Sequence, residues 1–258
     1  MNRRRFVTSS AGALAASSTL ASATATAATT PETPTTNQRA TAGIRLDKGD
    51  VILFQGDSIT DARRDRKTQQ VANDASALGQ GYAGMIAKGL LKDYAALDLH
   101  IYNRGISGNK VPDLERRWQK DALDLQPAVI SILIGVNNIW HKLNGRYHGT
   151  PEDYRSGFAA LLERTRQALP DTQLVICEPF VLRCGAVKDS WFPEFEERRA
   201  FAQVVADEAG ALWAPFQETF DAEVKAGSKP SRWAGDGVHP TPEGHALMAQ
   251  TWRRATGL

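Results

Sequence analysis

The chain has 258 residues, of which 42% are hydrophobic and 23% are charged, the composition of a globular domain and not of a disordered or fibrous chain. Its formal net charge is only +2, and basic residues are interspersed with acidic ones. This excludes the broad cationic surface of a nucleic-acid or anionic-membrane binder. We expect one domain of enzyme size.

The chain begins with a segment of different composition. Arginines at 3–5 precede a mildly apolar, alanine-rich stretch and small residues at alternating positions, which predicts an export signal over residues 1–28. The arginine pair resembles a twin-arginine signal, so we expect a periplasmic or secreted protein. Serine and threonine interrupt the apolar stretch, so no stable membrane span is predicted. Residues 29–43 are rich in Thr and Pro and predict a disordered linker before a domain over 44–258.

Apolar, β-branched runs then alternate with amphipathic stretches. The runs that predict strands are 50–56, 97–105, 128–135, 173–179 and 211–216. The stretches with helical spacing are 81–94, 111–125, 152–169, 193–210 and 241–256. This alternation predicts an α/β fold with a five-stranded parallel sheet and helices on both faces. In such sheets ligands bind at the carboxyl ends of the strands.

The first predicted strand ends in Gly56-Asp57-Ser58, which is either an ordinary turn or the presentation of a nucleophile. Charged residues follow it closely, namely Asp61, Arg63, Arg64 and Asp65. We interpret this run, together with Asp57, as a solvated loop with a helix N-cap. A metal site is not predicted, because no histidines at ligand spacing accompany the acids.

A serine nucleophile needs a base to take its proton and a third group to orient that base. The segment "WAGDGVHPTPEGH" places Asp236 and His239 three residues apart in a glycine-rich loop before the last helix. The other histidines lie in a strand pattern, in the last helix and in a polar loop, namely His100, His245, His141 and His148. Ser58, Asp236 and His239 are therefore the candidate catalytic residues.

Acyl transfer also needs donors for the oxyanion of the tetrahedral intermediate. Candidate donors are the N–H groups of Ser58 and Gly105 and the side-chain amide of Asn137, each at the end of a predicted strand. The alternative for Gly105 is a tight turn, and for Asn137 a helix cap.

Four blocks in this order, "GDSIT", "NRGISGN", "GVNN" and "DGVHP", resemble those of the SGNH hydrolases, the GDSL family of esterases and lipases. The resemblance covers residue 50 to the C-terminus. It implies a three-layer α/β/α sandwich of flavodoxin-like topology, no metal or cofactor, and a Ser-His-Asp double displacement. The third block commonly reads G-x-N-D, whereas this chain has Asn138 after Asn137. The departure puts a supporting hydrogen bond or substrate preference in doubt.

The stretches "GDSITDARRD", "ALGQGYAGMI" and "IGVNNIWH" are similar to the branch of that family containing xylan and other carbohydrate acetyl esterases. The resemblance implies removal of acetyl groups from acylated carbohydrate. Trp140 and Trp233 lie near the candidate site in sequence and suit stacking on a sugar ring, with Asn138 a further candidate for substrate binding; alternatively the tryptophans pack the loops.

Two other functions stay open: a lysophospholipase or thioesterase with the same triad, and a carbohydrate-binding homologue without catalysis. Relatives in this branch assemble, so a homo-oligomer is compatible with the resemblance. The sequence does not decide whether Cys177 and Cys184 form a disulfide, although two ordinary thiols is the favoured interpretation.

Overall fold

A computed structural model describes residues 43–258. The export signal predicted over 1–28 and, apart from Gly43, the linker predicted over 29–43 lie outside the described residues. Between Gly43 and the C-terminus, no helix combines the length and the apolar character that a membrane crossing requires.

The described chain forms one five-stranded sheet in the order β2-β1-β3-β4-β5, and every neighbouring pair is parallel. The strands are β1 (Val51–Gly56), β2 (His100–Asn103), β3 (Val129–Leu133), β4 (Gln173–Cys177) and β5 (Leu212–Ala214). The predicted fold class and all five predicted strands are confirmed. The observed bounds of each strand lie at most three residues inside the predicted ones.

The helices of the described residues are α1 (Ser58–Asp61), α2 (Ala75–Leu78), α3 (Tyr82–Asp93), α4 (Val111–Asp121), α5 (Val136–Leu143), α6 (Pro151–Ala168), α7 (Glu194–Glu208), α8 (Phe216–Lys225), α9 (Pro230–Trp233) and α10 (Pro242–Thr256). The five predicted helices correspond to α3, α4, α6, α7 and α10. The helices absent from the prediction have at most ten residues, too short for a clear apolar period.

Both faces of the sheet are buried. On β1, Phe54 packs on one face with Tyr82 of α3 and Trp252 of α10, while Leu53 packs on the other face with Trp118 of α4. This two-sided burial explains the near-continuous hydrophobic strands. Trp252 also donates its indole N–H to the Ser131 hydroxyl at 2.9 Å, which fixes α10 against β3.

The strand order locates the site. Because β1 lies between β2 and β3, the connections that follow β1 and β3 run in opposite directions, and open α/β sheets hold their ligands at such a switch point. The segments that follow β1, β2 and β3 meet at this point of the sheet edge.

Candidate active site

Ser58 is the first residue of α1, the one-turn helix that follows β1 without a loop. Asp57 caps this helix: its Oδ1 accepts the N–H of Ile59 at 3.0 Å. The cap fixes the backbone at the end of β1 and leaves the Ser58 side chain part-exposed at the carboxyl edge of the sheet. The predicted N-cap is thus present, and its aspartate stands directly before the candidate nucleophile.

His239 bridges Ser58 and Asp236. Its Nε2 lies 2.9 Å from Ser58 Oγ, and its Nδ1 lies 2.7 Å from Asp236 Oδ2. With Nδ1–H donated to the carboxylate, Nε2 is left to accept the serine hydroxyl proton. Residues 181 positions apart in the chain therefore form a continuous hydrogen-bonded relay.

Asp236 is held by its own loop. Its Oδ1 accepts the backbone N–H groups of Val238 at 2.9 Å and His239 at 2.7 Å. Partial burial alone would raise the pKa of Asp236, but the hydrogen bonds from His239 and Val238 hold it below its usual value. The carboxylate stays ionised and can orient an imidazolium that forms beside it.

A cleft of about 450 Å³ opens over this relay. The residues that line it are Ser58, Ser107, Gly108, Asn137, Trp140, His141, Asn144, Arg146 and His239. The cleft is assembled from four segments, those that follow β1, β2 and β3 and the loop before α10. Ser107, Gly108, Asn144 and Arg146 were missed by the sequence interpretation, although two of them lie inside the quoted block "NRGISGN".

The prediction that Gly105 donates to the oxyanion needs correction. Gly105 is buried, and its N–H donates to the Oδ1 of Asn103 at 2.9 Å. A Cβ at this position would lie 2.4 Å from the backbone nitrogen of Asp61, so glycine is required for the close approach of the loop to α1. The strand ends at Asn103 and not at Gly105, so the loop reaches the site further along the chain.

Gly108 takes the place predicted for Gly105. It lines the cleft with Ser58 and Asn137, and its φ of +82° is a conformation that residues with a Cβ rarely adopt. Asn137 is nearly buried at the start of α5, and its Nδ2 lies 3.3 Å from the carbonyl oxygen of Asn109. We infer that the donors for an oxyanion are the N–H groups of Ser58 and Gly108 and the amide of Asn137.

The two candidate tryptophans are placed differently. Trp140 lines the cleft, with its ring 5.8 Å from the His239 ring and 5.5 Å from that of Trp191. Trp233 is buried: it packs on Phe220, and its Nε1 donates to the Ser228 hydroxyl at 2.8 Å. The prediction that Trp233 borders the site is therefore wrong, and its alternative, packing, holds.

Asn138, the residue that departs from the common block, does not reach the cleft. Its side chain is fully buried and interacts with the side chain of Tyr147. The prediction that Asn138 contacts substrate is wrong for this reason.

The charged run after Ser58 is only partly the solvated loop that was predicted. Arg63 and Asp65 are exposed, whereas Asp57, Asp61 and Arg64 are buried. Asp61 Oδ2 accepts the N–H of Ser107 at 3.2 Å and pairs with Arg66 at 2.5 Å, and Arg64 Nε donates to the Gly105 carbonyl at 2.7 Å. These groups hold the loop after β2 against α1, a tertiary role that the local sequence does not reveal.

The Asp57 carboxyl has a pKa well above the usual value for an aspartate. Its side chain is 1% exposed, and burial raises its pKa to about 7, partly offset by the Ile59 N–H and the nearby His239. An acid whose pKa is raised on folding binds its proton more tightly in the folded state. Its contribution to stability is present at low pH and is lost as the pH rises through about 7.

Asp57→Asn is expected to remove this pH dependence while keeping the helix cap. Between pH 5 and pH 8 the free energy of unfolding of the wild type should fall by about 2 to 3 kcal/mol more than that of the variant. Urea unfolding across this pH range measures the difference. Parallel profiles for the two proteins would contradict a protonated Asp57.

His245 and the two cysteines take no part in the relay. His245 Nδ1 accepts the backbone N–H of Tyr82 at 3.1 Å, and burial and His239 lower its pKa to about 4, so it is a neutral structural residue. Cys177 and Cys184 are free thiols, the first of them buried on β4. Among residues 43–258, no group of three or more His, Cys, Asp or Glu side chains is arranged to hold a metal ion.

Comparison with known proteins identifies a family and several similar proteins. The model of the GDSL-like lipase/acylhydrolase family matches residues 54–247. An acetylxylan esterase from Geobacillus stearothermophilus is 29% identical over 219 residues, which cover 83% of this chain and 97% of that protein.

Solved structures show the same similarity. A protein from Parabacteroides merdae described as a GDSL-like lipase is 50% identical, with a TM-score of 0.80 and coverage of 83% of this chain and 99% of that one. An acetylxylan esterase from Geobacillus stearothermophilus is 28% identical, with a TM-score of 0.73 and coverage of 83% and 97%. Two solved catalytic mutants of that esterase are altered at a histidine and at an aspartate three residues before it.

Proposed function

Because this chain belongs to the GDSL-like lipase/acylhydrolase family and is a carboxylic ester hydrolase, we propose that it removes acetyl groups from carbohydrate through a Ser58-His239-Asp236 triad. Acetylated xylan or its oligosaccharides are the proposed substrate. The predicted export signal suits such a polymer, and we propose action outside the cytoplasm.

The observation that carries the proposal is the relay from Ser58 Oγ to His239 Nε2 and from His239 Nδ1 to Asp236 Oδ2, with heavy-atom distances of 2.9 and 2.7 Å. A serine hydroxyl is a weak nucleophile until a positioned base takes its proton. The aspartate and histidine of the relay have the same spacing as the two residues altered in the catalytic mutants of the acetylxylan esterase.

The proposed reaction has two displacements. His239 takes the Ser58 proton while Oγ bonds to the acetyl carbonyl carbon, and the carbonyl oxygen becomes an oxyanion facing Gly108 and Asn137. Collapse breaks the ester C–O bond, and the sugar alkoxide takes the proton from His239 Nε2. Water then loses a proton to His239 and attacks the acetyl-enzyme carbonyl; collapse breaks the bond from the acyl carbon to Ser58 Oγ, Oγ takes the proton back from His239, and acetic acid leaves.

Two features support a short acyl group and a sugar. The cleft over Ser58 has a volume of about 450 Å³, at the small end of ligand sites, which suits an acetyl group with one sugar better than a long acyl chain. Trp140 offers a flat aromatic face beside His239, and such a face packs well on the apolar side of a pyranose ring.

The test compares hydrolysis of p-nitrophenyl acetate, butyrate and octanoate with acetate release from acetylated xylan. We expect rates that fall as the acyl chain lengthens, and acetate release that disappears in Ser58→Ala. Ser156→Ala, an exposed serine on α6, is the matched control and should keep wild-type rates.

Other outcomes separate the alternatives. Preference for octanoate with no acetate from xylan would assign the site to lysophospholipid or thioester substrates. Binding of acetylated xylan without acetate release, unchanged by Ser58→Ala, would indicate a carbohydrate-binding protein. Either result would overturn the proposed substrate, and the second would overturn the chemistry as well.

A further inference from the structure

One wall of the cleft is cationic and takes no part in the triad. It is formed by the end of α5 and the turn after it, which contribute His141, Asn144 and Arg146. The Arg146 N–H donates to the His141 carbonyl at 2.7 Å, which folds the turn back toward α5. The turn thereby brings a guanidinium to the same cleft as Ser58 and His239.

The Arg146 guanidinium has no acidic partner among residues 43–258, whereas two other cations near the site, Arg66 and Lys110, each have one. Arg66 pairs with Asp61, and Lys110 pairs with Asp113 at 2.7 Å. Surface arginines are common and contribute little by themselves. This one differs because it lines the cleft that contains the candidate nucleophile.

Lys110 adds positive charge behind the same wall. Its Nζ lies 3.5 Å from His141 Nδ1 and 3.5 Å from the Gly108 carbonyl. Asp113 is shared between Lys110 and Arg116, so one carboxylate faces two cations. The wall therefore keeps a net positive charge after its internal ion pairs are counted.

Carboxylates are absent from the surface of the cleft. None of its nine described lining residues is acidic. The Asp236 carboxylate is hydrogen-bonded to His239. The Asp61 carboxylate pairs with Arg66 and accepts the N–H of Ser107. Burial, Lys110 and Arg146 together lower the pKa of His141, so at neutral pH its imidazole is uncharged and available for hydrogen bonding.

We propose that Arg146, with His141 beside it, forms a subsite for an anionic group of the substrate, so that the preferred esters are acetyl esters of acidic sugars such as uronic acids. This inference rests on the proposed carbohydrate deacetylation and specifies its substrate class. A guanidinium binds a carboxylate with two parallel hydrogen bonds, a geometry that a neutral hydroxymethyl group cannot use. The sugar carboxylate then fixes the orientation of the ring while its acetyl group faces Ser58.

The experiment uses a matched pair of substrates: methyl β-D-glucuronide and methyl β-D-glucopyranoside, each carrying an acetyl group at the same ring position. They differ only in a carboxylate where the neutral sugar has a hydroxymethyl group. For the wild type we expect kcat/KM to be about 2 to 5 times higher for the acidic sugar, mainly through KM, as for an ion pair made by an exposed arginine. Arg146→Gln should bring this ratio close to one.

Arg254→Gln is the control, since Arg254 is an exposed arginine on α10 outside the cleft, and the ratio should keep its wild-type value. A wild-type ratio near one, or a ratio that survives Arg146→Gln, would overturn the subsite. Failure of the proposed function is distinguishable, because neither sugar ester would then be hydrolysed while p-nitrophenyl acetate still was.

A second measurement tests the subsite even in that case. Unacetylated methyl glucuronide should inhibit hydrolysis of p-nitrophenyl acetate competitively and several times more strongly than methyl glucoside. Arg146→Gln should remove the difference between the two inhibitors. Equal inhibition by the two sugars in the wild type would reject an anion subsite independently of the physiological ester.

Discussion

His239→Ala is expected to lower kcat for p-nitrophenyl acetate by about four orders of magnitude with little change in KM. His239 contacts Ser58 at 2.9 Å and Asp236 at 2.7 Å. Its removal leaves the Ser58 hydroxyl without a base and the Asp236 carboxylate with no imidazole to orient. The loss falls on the transition state, because the imidazole carries a positive charge only while the proton is transferred.

The control for this variant is His148→Ala, which removes an exposed histidine from the loop after α5. That protein should keep the wild-type rate. Thermal melting checks that each variant is folded, and both should melt near the wild type because His239 is about half exposed. A kcat that falls less than tenfold in folded His239→Ala would assign the general base to another residue.

Asn137→Ala is expected to lower kcat by about 100 to 1000 times. The Asn137 amide lines the cleft beside Ser58 and Gly108, where the carbonyl oxygen of the ester becomes negatively charged in the tetrahedral intermediate. An amide that strengthens its hydrogen bond only in that intermediate contributes to kcat and leaves KM nearly unchanged. Steady-state kinetics on p-nitrophenyl acetate separate the two parameters.

Asn137→Asp sharpens the test, since it keeps the shape of the side chain but replaces the donor by an acceptor that repels an oxyanion. Its kcat should be at or below that of Asn137→Ala. Activity of the aspartate variant within a fewfold of the wild type would show that Asn137 has only a structural role, through its amide bond to the Asn109 carbonyl.

The architecture and the triad were predictable because each left a pattern in the sequence. Strands buried on both faces appear as continuous apolar runs, and the five runs gave the five parallel strands. Ser58 follows such a strand directly, and Asp236 and His239 share one short loop, so their proximity depends on local geometry. Ser58 and His239 could be paired only through chemistry and family resemblance, since 181 positions separate them.

The misplaced residues were those whose positions depend on tertiary packing. Gly105 and Gly108 are three residues apart in one loop, and only the early end of β2 at Asn103 shows that the second glycine reaches the cleft. Trp233 is close to Asp236 in sequence, yet its ring turns inward onto Phe220. Sequence distance to a catalytic residue does not fix the direction of a side chain.

The charged residues illustrate the same limit. Asp57 and Asp61 are in a segment with a polar, solvated pattern, but both are buried, and Asp61 accepts a hydrogen bond from Ser107 in the loop after β2. Arg146 stands in a stretch typical of a surface loop, and its place in the cleft depends on how the turn after α5 folds back to the His141 carbonyl. Hydrogen bonds between segments determine these environments, and the local pattern does not contain them.

The most direct test of the account is covalent labelling of the nucleophile with diisopropyl fluorophosphate, followed by peptide mass spectrometry and an assay with p-nitrophenyl acetate. We expect one diisopropylphosphoryl group per chain, on the peptide that contains Ser58, and activity that falls in proportion to labelling. Ser58→Ala should take up no label. Activity that persists after complete labelling of Ser58, or that is lost only with a metal chelator, would contradict the serine mechanism.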